Sequence, residues 1–383
     1  MRFLHIADLH IGKRVCEFSM LEEQRHVLEQ VLCLLVEREV DALLVAGDLY
    51  DKSLPSAEAV AMVDWFLSEV AARGVPAIVI PGNHDSAERV AYAGTLLARQ
   101  GVHVAPVYAG AIEPVELEDA LGPVHVWPVP FVRPAQVRHF APEEQIETYT
   151  DAMRVVLEGC RLNKAERNVI VAHQFVTSAG TEVACGGSEV SIGGLDNVDA
   201  SVFAGASYVA LGHIHRAQRV GSERVRYAGS ILKYSLSEAD GAKYALLVDV
   251  GEAGEEPVVE PVPLVPIHDL RRIKGPLASL VSGEVVAAGD AEDYLHVILT
   301  DEHPAIDAMA TLREVYPNVM SVEYDNARTR AEGLAHEAEL PQSEDDASAL
   351  ELFAEFYELQ NGSELTETQR ALVMEELEKL EVR

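Results

Sequence analysis

Five polar clusters each stand directly after a short apolar run. Asp8 and His10 follow residues 3–7 as Asp-Leu-His, and Gly47-Asp48 follows residues 42–46, with Tyr50 and Asp51 close behind. Gly82-Asn83-His84-Asp85 follows residues 77–80, His173 closes residues 169–172, and Gly212-His213-Ile214-His215 follows residues 208–211. Excluding the trailing Asp51 and Asp85, these clusters offer two carboxylates (Asp8, Asp48), one amide (Asn83) and five imidazoles (His10, His84, His173, His213, His215). Such donors suit borderline divalent ions such as Mn²⁺, Fe²⁺ or Zn²⁺. They are too many for one ion and match a pair about 3.5–4 Å apart, the spacing of two-metal phosphoester chemistry. Extended backbone puts residues i and i+2 on one side, so Asp8 with His10, and His213 with His215, can aim at one point. Each cluster alone is weak, because Asp-x-His is common and a lone strand-end histidine is usually ordinary. The argument rests on five together, in this order, each at a strand end.

The elements that must position them read as a sheet with covering helices. Residues 3–7, 42–46, 77–80 and 169–172 are apolar and mostly rich in Val, Ile or Leu, which suits buried strands. Between them 21–38, 57–72 and 87–99 carry helical apolar spacing. Residues 124–129, 208–211, 226–228 and 244–250 read as further strands. In open α/β sheets, sites form at the carboxyl ends of strands, so the five clusters can meet on one rim. Pro-rich 261–266 reads as a link to a small α/β unit, with strands at 294–299 and 319–324 around a helix near 305–315. An acidic linker over 331–346 follows, then a helical segment over 347–383 with patterns at 349–359 and 367–380, the second with Thr366 as N-cap.

At 383 residues the chain exceeds one typical domain of about 100–200 residues. The start runs straight into a strand-like stretch without the basic region and cleavage site of a signal peptide, and no apolar run nears the ~20 residues that span a bilayer. A cytoplasmic location is expected. Cys16, Cys33, Cys160 and Cys185 form no CxxC pair and read as reduced thiols. The net charge of −33 argues against a protein that binds nucleic acid alone, since such proteins usually present a basic surface. Residues 331–383 hold 15 acidic against 3 basic residues, so −12 of the −33 lies in the tail and −21 in the rest. If DNA is the substrate, bound cations and a more basic partner must supply much of the attraction.

The series Asp8-x-His10, Gly47-Asp48, Gly82-Asn83-His84-Asp85, His173 and Gly212-His213-x-His215 resembles the signature of calcineurin-like metallophosphoesterases. More closely, the chain resembles the SbcD family of bacterial DNA exonuclease subunits. The likeness runs through Phe3 to Gly12, Val79 to Asp85, Ala172 to Phe175, Tyr208 to His215 and Tyr227 to Ser230, and weakens after about residue 267. It implies an α/β fold: a two-sheet metallophosphoesterase sandwich flanked by helices over 1–266, a small α/β capping domain over 267–330 and C-terminal helices. It also implies roles. Asp8, His10 and His215 would hold one metal, Asn83, His173 and His213 the other, with Asp48 bridging. His84, oriented by Asp85, would serve the leaving oxygen as general acid. The cofactor implied is two divalent ions, typically Mn²⁺.

The resemblance further implies a 3′–5′ double-strand exonuclease and single-strand and hairpin endonuclease. It would work with an SbcC-type coiled-coil ATPase on DNA ends, hairpins and recombination intermediates, as a homodimer within a heterotetramer. Helices 57–72 and 87–99 are the candidate dimer faces. Phe353, Phe356 and Tyr357 would form an aromatic face that docks on the partner. Lys13 and Arg14, just after the first ligand loop, are candidates for a DNA phosphate, with solvated surface cations as the plainer reading. Two alternatives stand beside this one. A small-molecule metallophosphatase or cyclic-nucleotide phosphodiesterase would share the site but need no capping unit or tethered helices. A non-catalytic scaffold would have no reason to keep all eight site residues.

Overall fold

The computed structural model describes residues 1–178, 183–184, 197–303 and 305–329, together with 354, 357, 366, 369, 370, 372 and 373. The chain divides into two compact units, Met1–Asp269 and Leu270–Arg383.

The first unit contains two six-stranded sheets. One runs in the order Val258–Leu264, Lys243–Asp249, Arg2–Ile6, Ala42–Ala46, Ala77–Ile80, Val102–Val104. Its last four strands are mutually parallel. Parallel neighbours need crossover connections, and helices Leu21–Glu37 and Ala57–Ala72 provide the first two. The other sheet runs Gln218–Val220, Ser222–Tyr227, Tyr208–Gly212, Arg167–His173, Gly122–Pro128, Val115–Asp119, with a parallel centre and an antiparallel strand at each edge. Side chains of both sheets share one core: Phe3, Leu44 and Ile78 from the first, with Val126, Val169, Val171 and Tyr208 from the second. The outer face of the second sheet buries Ile170, Val209 and Leu211 with Met153, Val156 and Leu157 of helix Tyr149–Cys160. That helix opens with a reciprocal capping box between Thr148 and Asp151. The α/β two-sheet architecture expected from the sequence is the one observed.

Two local readings are corrected. The helix expected over 87–99 is broken into Ala87–Val90 and Gly94–Ala98, with Ala93 at φ 60° between them and Gly94, a poor helix former, next to it. Most of the Pro-rich stretch over 261–266 belongs to the edge strand Val258–Leu264, where Pro261 lies opposite Leu246 and Pro263 opposite Tyr244. An edge position lets proline sit in a ladder because its missing N–H can face away from the sheet.

The second unit holds three parallel strands in the order Leu270–Gly275, Tyr294–Leu299, Val319–Tyr324. Short helices Leu277–Leu280 and Ala308–Arg313 contribute Leu280 and Leu312 to a core with Leu295, Val297, Leu299 and Val319. The first of these strands was not foreseen. Thr366 accepts from the Gln369 backbone N–H while its own N–H donates to Gln369 Oε1, the capping arrangement its position suggested. The linker over 331–346, and Phe353, Phe356 and Cys185, lie outside the described residues. Among the described residues no helix is long and apolar enough to cross a membrane.

Candidate metal centre

The two sheets bring their strand ends to one rim. Asp8, Asp48, Asn83 and His84 come from the first sheet, and His173, His213 and His215 from the second. The approach is close enough to dictate glycine at the seam. A Cβ on Gly212 would lie 1.8 Å from the Ala46 carbonyl oxygen, and one on Gly47, at φ 90°, 2.2 Å from His173 Nδ1. Asp8, His10, Asp48 and His213 all adopt positive φ (51°, 44°, 50° and 104°), a conformation that costs side-chain-bearing residues energy and gathers at functional sites. The chain turns sharply at each of these residues, so Asp8 and His10 converge even though neither is in extended backbone.

Asp8, His10, Asp48, His173 and His215 are buried, Asn83 and His213 half-buried, and His84 exposed. His10 Nε2 lies 3.1 Å from His215 Nε2. On the other side, Asn83 Oδ1 lies 3.0 Å from both His173 Nε2 and His213 Nδ1. Asp48 Oδ2 sits between, 3.3 Å from His173 Nε2 and 3.6 Å from His10 Nε2. Asp8 accepts from the His213 backbone N–H at 2.9 Å, which ties the two sheets together at the site. Two buried sets, Asp8-His10-His215 and Asp8-Asp48-His173, bring ligand atoms within 4.8 Å of one another.

These donors fit cations. With Nδ1 of His215 facing Glu238 Oε1 at 3.3 Å, its Nε2 is the accepting nitrogen, so His10 must donate from Nε2 and leave its own buried Nδ1 without a partner. An ion between the two rings would use both Nε2 lone pairs in place of that hydrogen bond. The carboxylates demand positive charge too. Burial alone would lower the His173 pKa, but Asp48 and Asp8 raise it to about 9. Burial pushes Asp8 up to about 6, whereas for Asp48 the effect of burial is outweighed by His173 and His10, which hold it well below the usual carboxylate range. A protonated His173 is thus the charge that a cation would replace.

The family description "Calcineurin-like phosphoesterase" matches residues 1–217, more than half of the chain. The chain belongs to this family. A second description, the type 5 capsule protein repressor C-terminal domain, matches residues 266–361. An SbcCD nuclease subunit of Staphylococcus epidermidis is 29% identical over 325 residues, covering 84% of this chain and 85% of that protein. The resemblance to the SbcD family therefore holds along most of the chain. Among solved structures, a Thermus thermophilus protein covers 68% of this chain and 98% of its own at 13% identity and a TM-score of 0.39. A dimetal phosphatase from Danio rerio covers 70% and 97% at 13% identity and a TM-score of 0.38. As a calcineurin-like phosphoesterase, the protein is a metal-dependent hydrolase of phosphoesters.

One expected partnership in the phosphoesterase is replaced by another. Asp85 does not orient His84. Its carboxylate accepts from the backbone N–H groups of Leu49, Tyr50 and Gly82 at 3.0, 3.0 and 2.9 Å, because the turn after Gly82 points it back beneath the loops. Burial, with Asp48 nearby, raises its pKa to about 6. His84 instead places Nδ1 3.1 Å from the Asp51 carbonyl, and its backbone N–H donates to Asp48 Oδ1 at 2.9 Å. Lys13 is committed to Asp51 Oδ1 at 2.8 Å, while Arg14 is exposed and donates to the Glu17 carbonyl.

Sequence reasoning missed the layer behind the candidate ligands. Gln24 Nε2 donates to the His10 carbonyl at 2.8 Å and Tyr234 Oη at 2.9 Å, and its Oε1 accepts from Gly12 N–H at 3.0 Å. Behind His215, Glu238 bonds Lys243, whose Nζ donates to the His215 carbonyl at 2.8 Å. No spacing pattern marks these residues, since they lie on other helices, loops and strands.

Proposed function

We propose that this chain is the nuclease subunit of a DNA-end-processing complex, cutting phosphodiesters with a pair of divalent ions, Mn²⁺ by preference. The observation that carries the reading is the position of Asp48 Oδ2, within reach of both halves of a site formed by eight converging residues. In this reading Asp8, His10 and His215 hold one ion, Asn83, His173 and His213 the other, and Asp48 is shared. The chemistry such a pair supplies is activation of a water and relief of charge on the phosphoryl oxygens. His84, exposed and anchored from Nδ1 by the Asp51 carbonyl, is free to carry a second proton on Nε2 for the leaving oxygen. Asp85 serves by fixing the loops that carry Asp48 and His84.

The DNA substrate is inferred from the relative named as an SbcCD nuclease subunit and from the second domain match. On this reading residues 267–330 cap the nuclease domain at 1–266, the linker 331–346 tethers a helical segment over 347–383, and that segment docks on an SbcC-type ATPase in a heterotetramer. The chain's acidity supports a subunit that relies on bound cations and a basic partner for its hold on DNA. The test is incubation with Mn²⁺ and an end-labelled hairpin duplex, with and without the ATPase. Shortening of the DNA that disappears in His84→Ala supports the proposal. Intact DNA beside brisk phosphomonoester hydrolysis refutes it in favour of a small-molecule phosphatase.

A further inference from the structure

His215 is held from behind by a buried charged network. Its Nδ1 lies 3.3 Å from Glu238 Oε1, and Glu238 Oε2 is paired with Lys243 Nζ. The same ammonium donates to the His215 carbonyl at 2.8 Å and to Ser230 Oγ at 2.7 Å. Glu238 and Lys243 are each 9% exposed, Ser230 not at all. Glu238 ends a short 3-10 turn, Leu236–Glu238, whereas Lys243 begins a strand of the first sheet and His215 follows a strand of the second. One ion pair therefore fixes both the ring and the backbone of a residue at the junction between sheets. Burying an ion pair is rarely a net gain in stability over apolar packing, so stability alone gives little reason for this one. His173 Nδ1, by contrast, has the neutral Ala46 carbonyl as its hydrogen-bond partner at 2.8 Å, with Asp8 Oδ1 farther off at 3.9 Å.

We propose that Glu238, locked by Lys243, is a positioning residue that holds the His215 proton on Nδ1 and presents Nε2 to the ion shared with Asp8 and His10. The inference rests on the reading of His215 as a metal ligand. A carboxylate behind a ligating imidazole fixes its tautomer and raises its basicity. Glu238 thereby acts on one ion of the pair and not on the other, whose histidines it does not touch.

The test is calorimetric titration of the full-length, metal-free protein with Mn²⁺, with the electron paramagnetic resonance spectrum of bound Mn²⁺ as a second readout. Glu238→Gln keeps the shape and removes the charge. It should weaken one of two binding events by about 10–100-fold and leave the other at its wild-type affinity. In a His215→Ala background it should add no further loss. Because Glu238→Gln removes the carboxylate charge set against Lys243, Glu238→Gln/Lys243→Met, which removes both charges of that pair, should show the same selective loss with a metal-free unfolding midpoint near wild type. Wild-type affinity at both events in Glu238→Gln, or equal weakening of both in step with a lower midpoint, overturns the proposal while leaving His215 as a ligand. Undiminished binding in His215→Ala overturns the ligand reading and the proposal with it.

Discussion

Asp85 distinguishes a structural role from a chemical one. If it oriented His84, Asp85→Ala would cost turnover and little stability. The structure gives the opposite weight. Its two oxygens take three backbone N–H groups from two different loops, all at 2.9–3.0 Å. Removing the carboxylate leaves three donors short of an acceptor, each worth about 1–3 kcal/mol when buried. Some will find water, so a loss of roughly 3–5 kcal/mol is expected for Asp85→Ala, short of the full sum because the bonds share one anchor. Asp85→Asn should cost less. It keeps an oxygen for Leu49 and Gly82, places an NH₂ against the Tyr50 N–H, and relieves the repulsion from Asp48 that helps raise the Asp85 pKa to about 6. The assay is urea unfolding of the metal-free protein at pH 7.5, followed by tryptophan fluorescence. Both tryptophans, Trp65 and Trp127, lie in the first unit, so the signal reports the domain in question. Asp85→Ala with stability within about 0.5 kcal/mol of wild type, the range of an ordinary surface change, together with abolished turnover, would refute the anchoring role and restore the orienting one.

Asp48→Ala should abolish binding of both ions in a Mn²⁺ titration, whereas His84→Ala should keep both and lose about 10²–10⁴-fold in turnover; equal metal loss in the two variants would remove His84 from its role. The His173 pKa lies at about 9, above its ordinary 6.5, so its proton contributes stability that is full below pH 6.5 and fades as pH rises through 9. Metal-free protein should therefore melt progressively lower from pH 6.5 to 9.5. In the same window Mn²⁺ binding should tighten, with release of about one proton near pH 7.5 measurable by calorimetry in buffers of different ionisation enthalpy. Removing residues 345–383 should abolish capture by an SbcC-type ATPase and leave basal Mn²⁺-dependent cleavage; a retained complex would count against the docking segment.

The convergence of the candidate ligands was legible because polar residues interrupt apolar strands at their ends, a pattern with few structural excuses. The resemblance misled at Asp85: it implies that Asp85 orients His84, but the turn after Gly82 aims the two side chains apart. Pro261 and Pro263 read as a linker because proline breaks strands in general, and only the sheet order shows that their strand is an edge. Glu238, Lys243, Gln24 and Tyr234 were invisible for a further reason. They meet the site through tertiary topology, and nothing in their local sequence differs from a solvated charge or an ordinary helix residue. The positive φ values at Asp8, His10, Asp48 and His213 were equally hidden, since composition favours glycine there. That four side-chain-bearing residues accept this strain is itself informative: a glycine would ease the backbone but remove the candidate ligand. The site also bears on the acidic composition that argued against a protein binding nucleic acid alone. Asp8 and Asp48 are buried at the rim where His173 is pressed to hold a proton, so the centre is built to receive positive charge from outside the chain. On the proposed reading, a polyanionic substrate would meet such a centre more readily once cations fill it, which links substrate access to metal loading.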